Sequence, residues 1–142
     1  MPLREHEPGS PSYRELLAAY ARTREAWEHS PTMHGLSLLQ TGLEILYREL
    51  EKPGRFTLGT LLLTPGASDT LLTSHQIPPE FLLLHQHGDW GELDPEDRRE
   101  NERALLHGGR LFSAYRTRTE ARLWVITEWD RSATTLLLPE EY

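Results

Sequence analysis

The chain contains no cysteine. This absence excludes cysteine-ligated zinc, iron–sulfur clusters and thiol catalysis. It also lacks any run that approaches the roughly 18 apolar residues of a membrane span. The first residues, Met-Pro-Leu-Arg-Glu-His-Glu, carry no apolar signal core. We therefore expect a cytoplasmic protein that does not enter a membrane.

Lysine is nearly absent, because Lys52 is the one lysine among 15 basic residues, and the formal net charge is −7. Much of this charge lies in residues 89–102, where seven acidic side chains stand against two arginines. An acidic chain is a poor general binder of nucleic-acid backbones. At 142 residues the chain is long enough to bury a core without a disulfide or a metal. No cofactor is predicted.

The first 54 residues predict a tail and two helices. Residues 1–11 are rich in proline, glycine and serine, which is typical of a flexible tail. Ser12 and Glu15 have the spacing of a capping box. Ser30-Pro31 begins a second helix, and Lys52-Pro53-Gly54 ends it. We expect an antiparallel helical hairpin over 12–54, whose leucine stripe forms either core or a homodimer surface.

Residues 55–142 alternate between strand and helix patterns. A strand is expected at 55–64, short helices follow up to residue 86, and Asp94-Pro95 begins a charged helix through Leu106. Three strands at 110–118, 122–128 and 133–138 are joined by short connections typical of antiparallel hairpins. The predicted fold class is α+β: the N-terminal hairpin plus a small antiparallel sheet of about four strands covered by helices.

The segment 85–91 concentrates residues with chemical potential. His85, His87 and Asp89 offer three N/O ligands for a catalytic metal, although their spacing matches no known zinc motif. The structural alternative is that His85 is a satisfied core histidine, Asp89 bonds turn amides, and Trp90 fills the core. A functional site without metal is the third interpretation, and the sequence leaves all three open.

Two further clusters have both a functional and a structural interpretation. Glu128, Asp130 and Arg131, beside Trp129, form either an acid/base pair with an anion-holding arginine or a stabilised turn. An arginine strip next to Tyr115 either binds RNA by charge and stacking or protects a solvated sheet edge. Its members are Arg110, Arg116, Arg118 and Arg122.

Residues 56–142 also carry a set of short motifs. They are Leu58-Gly59, Thr64-Pro-Gly-Ala67, His85 with Gly88-Asp-Trp-Gly91, Asp97, Asn101, Gly109-Arg-Leu-Phe-Ser-Ala-Tyr115, Leu123-Trp-Val-Ile-Thr-Glu128, Asp130-Arg-Ser132 and Thr134-Thr-Leu-Leu-Leu-Pro-Glu-Glu-Tyr142. In combination they resemble a family of small uncharacterised bacterial proteins of plasmids and other mobile elements.

Members of that family are labelled "plasmid-related protein" or "type I restriction endonuclease subunit M". The chain departs from the pattern at Trp129, where the family has a small residue, and in its first hairpin, which lacks a turn glycine. The restriction label conflicts with the chain, which has neither a cofactor-binding Rossmann motif nor an Asn-Pro-Pro motif. The resemblance implies a mobile-element setting and brings no known activity.

Two functions follow as hypotheses. The first is a non-enzymatic accessory protein of a mobile element, counter-defence or regulatory, that binds a protein partner through the acidic helix and the hairpin. The second is a small metal-independent, toxin-type ribonuclease, a likeness of topology alone. The candidate catalytic residues are His85, Asp89, Glu128, Asp130 and Arg131. The candidate binding residues are Trp90, Arg110, Tyr115, Arg116 and Trp129.

Overall fold

A computed structural model describes residues 12–142, so the predicted tail at 1–11 lies outside the described residues. The chain divides into two compact units, Met1–Pro53 and Gly54–Tyr142. Helices and a four-stranded sheet give the predicted α+β class. The elements are α1 (Tyr13–His29), α2 (Met33–Leu50), β1 (Thr60–Leu63), α3 (Pro65–Ser74), α4 (Pro79–Gln86), α5 (Pro95–His107), β2 (Leu111–Arg116), β3 (Arg122–Thr127), β4 (Ala133–Leu137) and a 3-10 turn (Pro139–Glu141).

The first unit is the predicted helical hairpin. Ser12 and Glu15 form the capping box at the start of α1, and Thr32 caps α2 through the amide of Gly35. Two glycines of α2 let the helices approach closely. A Cβ on Gly42 would lie 3.0 Å from the Tyr20 ring, and one on Gly35 would lie 3.2 Å from the Trp27 ring.

The sheet of the second unit has the strand order β1-β4-β3-β2. The pairs β2–β3 and β3–β4 are antiparallel, as their short connections predict. β1 instead runs parallel to β4, so the sheet is mixed and not antiparallel throughout. The chain between β1 and β4 contains three helices and the strands β2 and β3, which is long enough for the crossover that a parallel pair needs.

β1 is also shorter than the predicted strand at 55–64. The Arg55 amide donates to the carbonyl of Gln86, away from the sheet. Phe56 and Leu58 enter the core as non-strand residues. Gly59 then takes φ +67°, and a side chain there would collide with the carbonyls of Arg131 and Ser132. Glycine therefore permits the turn that aligns β1 with β4.

The two faces of the sheet differ. Alternate residues of β2 are buried, with Ser113 among them, and the buried side chains of β3 and β4 continue that face under α4. The opposite face, here called the outer face, carries Phe112 and Trp124, both half-buried. Within residues 12–142, no helix combines the length and the apolar character needed to cross a bilayer.

Candidate functional site

His85 is fully buried on α4, and both ring nitrogens are hydrogen-bonded. Nδ1 lies 2.5 Å from the Ser113 hydroxyl on β2, and Nε2 lies 2.9 Å from the Thr127 hydroxyl on β3. Thr127 is 2.7 Å from the Thr134 hydroxyl on β4, which donates to the carbonyl of Leu58 at 2.7 Å. A single polar chain thus connects three strands with the segment before β1.

The last hydrogen bond of this series, from Thr134 to Leu58, determines where each proton lies. A threonine hydroxyl has one hydrogen, and Thr134 gives its own to the Leu58 carbonyl. Thr127 must then donate to Thr134, so it accepts from Nε2–H of His85. A neutral ring carries one N–H, so Nδ1 is then the acceptor, and Ser113 donates to it. Every group of this hydrogen-bonded network is satisfied when His85 is neutral and carries its proton on Nε2.

The surroundings of His85 oppose its protonation. Burial, with a smaller contribution from the positive charge of Arg131, lowers the pKa of His85 from 6.5 to about 3. Aromatic rings enclose the imidazole: Phe56 and Trp90 make edge contacts with it at 5.2 and 5.7 Å between centroids. These contacts match the interpretation of His85 as a satisfied core histidine.

The side chain of Arg131 is hydrogen-bonded to several backbone carbonyls. Its guanidinium donates to the carbonyls of Ala104, Gly109 and Glu128 at 3.1, 2.5 and 3.1 Å, and also to that of Trp129. The residue has φ +62°, and its charge lies 5.9 Å from the Phe56 ring centroid. The guanidinium, although only partly buried, therefore uses its donors to bind the end of α5 to the β3–β4 turn.

The segment after His85 closes one edge of the sheet. The Ala114 amide donates to Trp90, and the Glu92 amide donates to Ala114, at 3.1 and 2.7 Å. Gly91 (φ +74°) lies so close to the Ala114 carbonyl that a side chain would collide with it. Trp90 is 5% exposed, so this candidate binding residue lies in the core.

Asn101 of α5 completes this closure. Its carboxamide donates to the Phe112 carbonyl at 2.7 Å and accepts from the Phe112 amide at 3.0 Å. Tyr115, 7% exposed, donates its hydroxyl to the backbone carbonyl of Asp89 at 2.5 Å. This candidate binding residue therefore holds the 85–91 segment in place from within the core.

The remaining candidate catalytic residues have separate local contacts. The Asp89 carboxylate accepts from the Gly91 amide at 3.4 Å. Asp130 accepts from the Ser132 amide at 3.0 Å, and bonds with Ser132 lower the pKa of its carboxyl. Glu128 joins the same turn through its backbone. Within residues 12–142, the hydrogen bonds of the His85 ring go to Ser113 and Thr127 and to none of these carboxylates.

The proposed metal ligands are not assembled. The His87 ring contacts the carbonyl of Leu83 at 2.8 Å, whereas the His85 ring points into the core. In the part of the chain that the structure describes, no group of three or more His, Asp or Glu side chains is placed to hold a metal ion. Trp129, the last of the turn residues, is 67% exposed.

The outer face of the sheet presents aromatic rings beside guanidinium groups. Phe112 and Trp124 make an edge contact at 5.0 Å, and Tyr142 contacts Trp124 at 5.8 Å. Arg110 lies 5.5 Å from the Tyr142 ring and donates to its hydroxyl at 2.7 Å. Trp, Tyr and Arg are the residue types most enriched at the energetic centres of protein interfaces.

A groove of about 310 Å³ lies on this face. Phe112, Ala114 and Trp124 line it from the strands, and Asp94 and Asp97 line it from the start of α5. Arg116 and Arg122 stand directly opposite each other across β2 and β3 and also line the groove, which we name the outer-face groove.

The charges in the outer-face groove are unevenly paired. Glu92 binds Arg116 through both carboxylate oxygens at 3.0 and 3.1 Å. Within residues 12–142, the side chain of Arg122 makes no hydrogen bond or ion pair. Like charges directly opposite in a sheet repel each other, so Arg122 occupies a position that an added anion would stabilise.

The structure divides the predicted arginine strip. Arg110, Arg116 and Arg122 share the outer face. Arg118 lies beyond the end of β2 at Arg116, and its side chain donates to the Ser74 carbonyl at 2.9 Å. Sequence reasoning did not assign Phe112, Tyr142, Asp94 or Asp97 to a site. The alternation of β2 would have placed Phe112 beside Arg110 and Arg116.

No protein-family model matches this chain, and no match was found among the curated proteins or the solved structures.

Proposed function

We propose that this protein is a non-catalytic binding protein that recognises a protein partner with the outer face of its sheet. The observation that carries the proposal is the outer-face groove. There the guanidinium of Arg122, which has no partner within residues 12–142, lies beside the half-buried ring of Trp124. An acidic side chain of the partner would pair with Arg122, and an apolar or planar group would cover the indole.

The opposite wall of the groove favours a peptide over a nucleic acid. Asp94 and Asp97 lie there, and Asp94 uses one carboxylate oxygen to cap α5 at 2.8 Å. A phosphate backbone would meet these two carboxylates as well as the guanidiniums. A protein segment with both acidic and basic side chains complements both walls, and this also agrees with a chain of net charge −7.

The contacts of the candidate catalytic residues weigh against the ribonuclease alternative. An acid–base catalyst at neutral pH needs a pKa near 7 and access to substrate. The pKa of His85 is lowered to about 3 inside the core, and Arg131 is occupied by backbone carbonyls. The setting in a mobile element, with a regulatory or counter-defence role, stays a prediction from the resemblance alone.

The N-terminal hairpin offers a second surface. Several apolar side chains of α2 remain exposed, with Met33 at 81%. The other exposed apolar side chains of α2 are Leu36, Leu38, Ile45 and Tyr47. A homodimer through these helices stays a prediction.

The outer face is tested by affinity capture from the native host with matched variants. Arg122→Glu and Trp124→Ala alter the outer-face groove, and Arg99→Glu makes the same charge change on the exposed side of α5. We expect one protein, in stoichiometric amount and resistant to nuclease, to bind the unaltered chain and the Arg99 variant. Its recovery should fall at least tenfold with either groove variant.

Two results would contradict the proposal. Equal recovery with all three variants would remove the outer face from the interface. Recovery of RNA alone, lost after nuclease treatment, would favour the nucleic-acid interpretation of the arginine strip.

A further inference from the structure

The two edges of the sheet differ in how they are protected. At the β2 edge, Asn101 pairs with the backbone of Phe112, and residues 90–92 pair with that of Ala114. Within residues 54–142 the β1 edge has no such cover: β1 pairs with β4 alone, and all four of its residues are exposed. Proteins normally block an open edge with charges, proline or a bulge. β1 has the sequence Thr-Leu-Leu-Leu and carries none of these.

The open edge presents a defined set of backbone groups. The amides of Thr60 and Thr64 donate to Ser132 and Leu136 of the β4 side at 2.9 and 3.1 Å. The backbone N–H and C=O groups of successive residues point to opposite sides of a strand. Those of Leu61 and Leu63 therefore point away from β4. These two donors and two acceptors flank Leu62 symmetrically.

The side chains of β1 are apolar on both faces. Leu61, Leu62 and Leu63 are 40%, 47% and 42% exposed. Leu61 and Leu63 are in register with the buried Thr134 and Leu136, so they continue the core layer to the edge of the sheet. No charged residue occurs between Arg55 and Asp69. On an acidic chain, this neutral stretch is a place where two copies approach with little repulsion.

We propose that β1 pairs with β1 of a second copy of this chain, antiparallel and about a two-fold axis at Leu62. In this register Leu61 of one copy faces Leu63 of the other, and the outward groups form four backbone hydrogen bonds. The two sheets become one of eight strands. A two-fold axis requires a self-complementary patch, and the symmetry of outward groups around Leu62 supplies it. This inference does not depend on the outer face.

The length of β1 sets the expected strength. Four residues span about 13 Å, which is short for an interface of standard size. We therefore expect a dimer in equilibrium with monomer at micromolar to millimolar concentrations. The short strand argues for a weak dimer, and the closed β2 edge argues against an open-ended fibre.

The absence of cysteine gives a sharp test of the register. Leu62→Cys introduces a single thiol, and in the proposed dimer the two thiols belong to a non-hydrogen-bonded pair with Cα atoms about 4.5 Å apart, within reach of a disulfide. Leu61→Cys is the matched control on the same strand. Its two copies stand about 8 Å apart on the diagonal, too far to bridge.

We expect the Leu62 variant of the full chain to form a disulfide dimer under mild oxidation at least tenfold faster than the Leu61 variant. A mixture of Leu61→Cys and Leu63→Cys chains should form the mixed dimer, because these positions face each other. Equal rates for Cys at 61, at 62 and at the exposed Leu72 would overturn the proposal, since random collision would then explain them.

Light scattering across the same concentration range tests the chain without thiols. Leu61→Pro removes an outward N–H and leaves the pairing with β4 intact, so dimer should be lost. Leu36→Lys alters the exposed face of α2 and should leave the dimer unchanged. A monomer at every concentration, or a dimer lost with Leu36→Lys and kept with Leu61→Pro, would overturn the proposal.

Discussion

The carboxamide of Asn101 forms two hydrogen bonds with the backbone of Phe112, as a neighbouring strand would. The residue is 3% exposed, so this pair is shielded from water. A helix side chain thereby ends the sheet at β2 and leaves β1 as the open edge.

Replacing Asn101 with alanine should leave the Phe112 amide and carbonyl without partners. Each buried group left unsatisfied costs about 1–3 kcal/mol, so we expect the free energy of unfolding to fall by about 2–4 kcal/mol in urea. Arg99→Ala, at an exposed position of the same helix, is the control and should change it by less than about 0.5 kcal/mol. Equal effects of the two variants would show that the Asn101 bonds contribute nothing specific.

The pKa of His85 predicts how stability depends on pH. The pKa is about 3 in the folded state and 6.5 in the unfolded chain, so between these values the unfolded chain binds more protons. Stability should therefore fall as pH decreases through this window, and His85 should add no pH dependence above it. Across this window His85 should lower the free energy of unfolding by an amount on the order of 5 kcal/mol, which is the difference of the two pKa values expressed as energy.

The measurement compares the pH dependence of unfolding for the unaltered chain and for His85→Gln. The other titrating groups are common to both proteins and cancel in the difference. We expect that difference to change between pH 6.5 and 3 and to be constant above this range. A constant difference at every pH would mean that the pKa of His85 is the same in the folded and unfolded states, and that burial does not lower it.

Arg131→Lys should destabilise the β3–β4 turn although the charge is kept. A lysine ammonium has three hydrogens on one atom and cannot reproduce the planar fork that reaches Ala104, Gly109 and Glu128. We expect a loss of about 1.5–3 kcal/mol in thermal unfolding. Arg103→Lys, on the exposed face of α5, should have almost no effect. If both substitutions were neutral, the carbonyl contacts of Arg131 would carry no stability.

Alanine substitutions at Gly91 and Gly108 distinguish the cost of a steric collision from the cost of backbone strain. Gly91 and Gly108 both have positive φ, +74° and +86°. A Cβ at Gly91 would collide with the Ala114 carbonyl, whereas one at Gly108 would meet nothing within 4 Å. Gly108→Ala should cost about 1–2 kcal/mol from strain, and Gly91→Ala about 3 kcal/mol or more. Equal losses in urea unfolding would remove the close contact as the reason for glycine at position 91.

Local patterns were enough to predict much of this fold. The capping box at Ser12, the stop at Pro53-Gly54 and the short turns between the last three strands gave the helical hairpin and the antiparallel pairs. The parallel partner of β1 was missed because no local signal shows which strand a chain meets after three helices. That choice depends on contacts between residues far apart in the sequence.

The candidate site was harder to predict than the fold. The sequence left His85 open between core and site, because residue type does not reveal whether hydroxyls such as Ser113 and Thr127 will meet a ring from another element. Strand parity placed Arg110 and Arg116 on one face, but it failed for Arg118, which follows the end of β2. Tyr142 reaches the outer face only through tertiary folding.

The parallel pairing of β1 with β4 has a consequence during synthesis on the ribosome. Thr60 emerges long before its partner Ala133. At about 5–20 residues per second, β1 waits roughly 4–15 s without the neighbour that completes the sheet. During this time the nascent chain carries an unpaired run of three leucines. Chaperone occupancy on translating ribosomes should therefore rise once β1 leaves the exit tunnel and fall only after β4 has followed it.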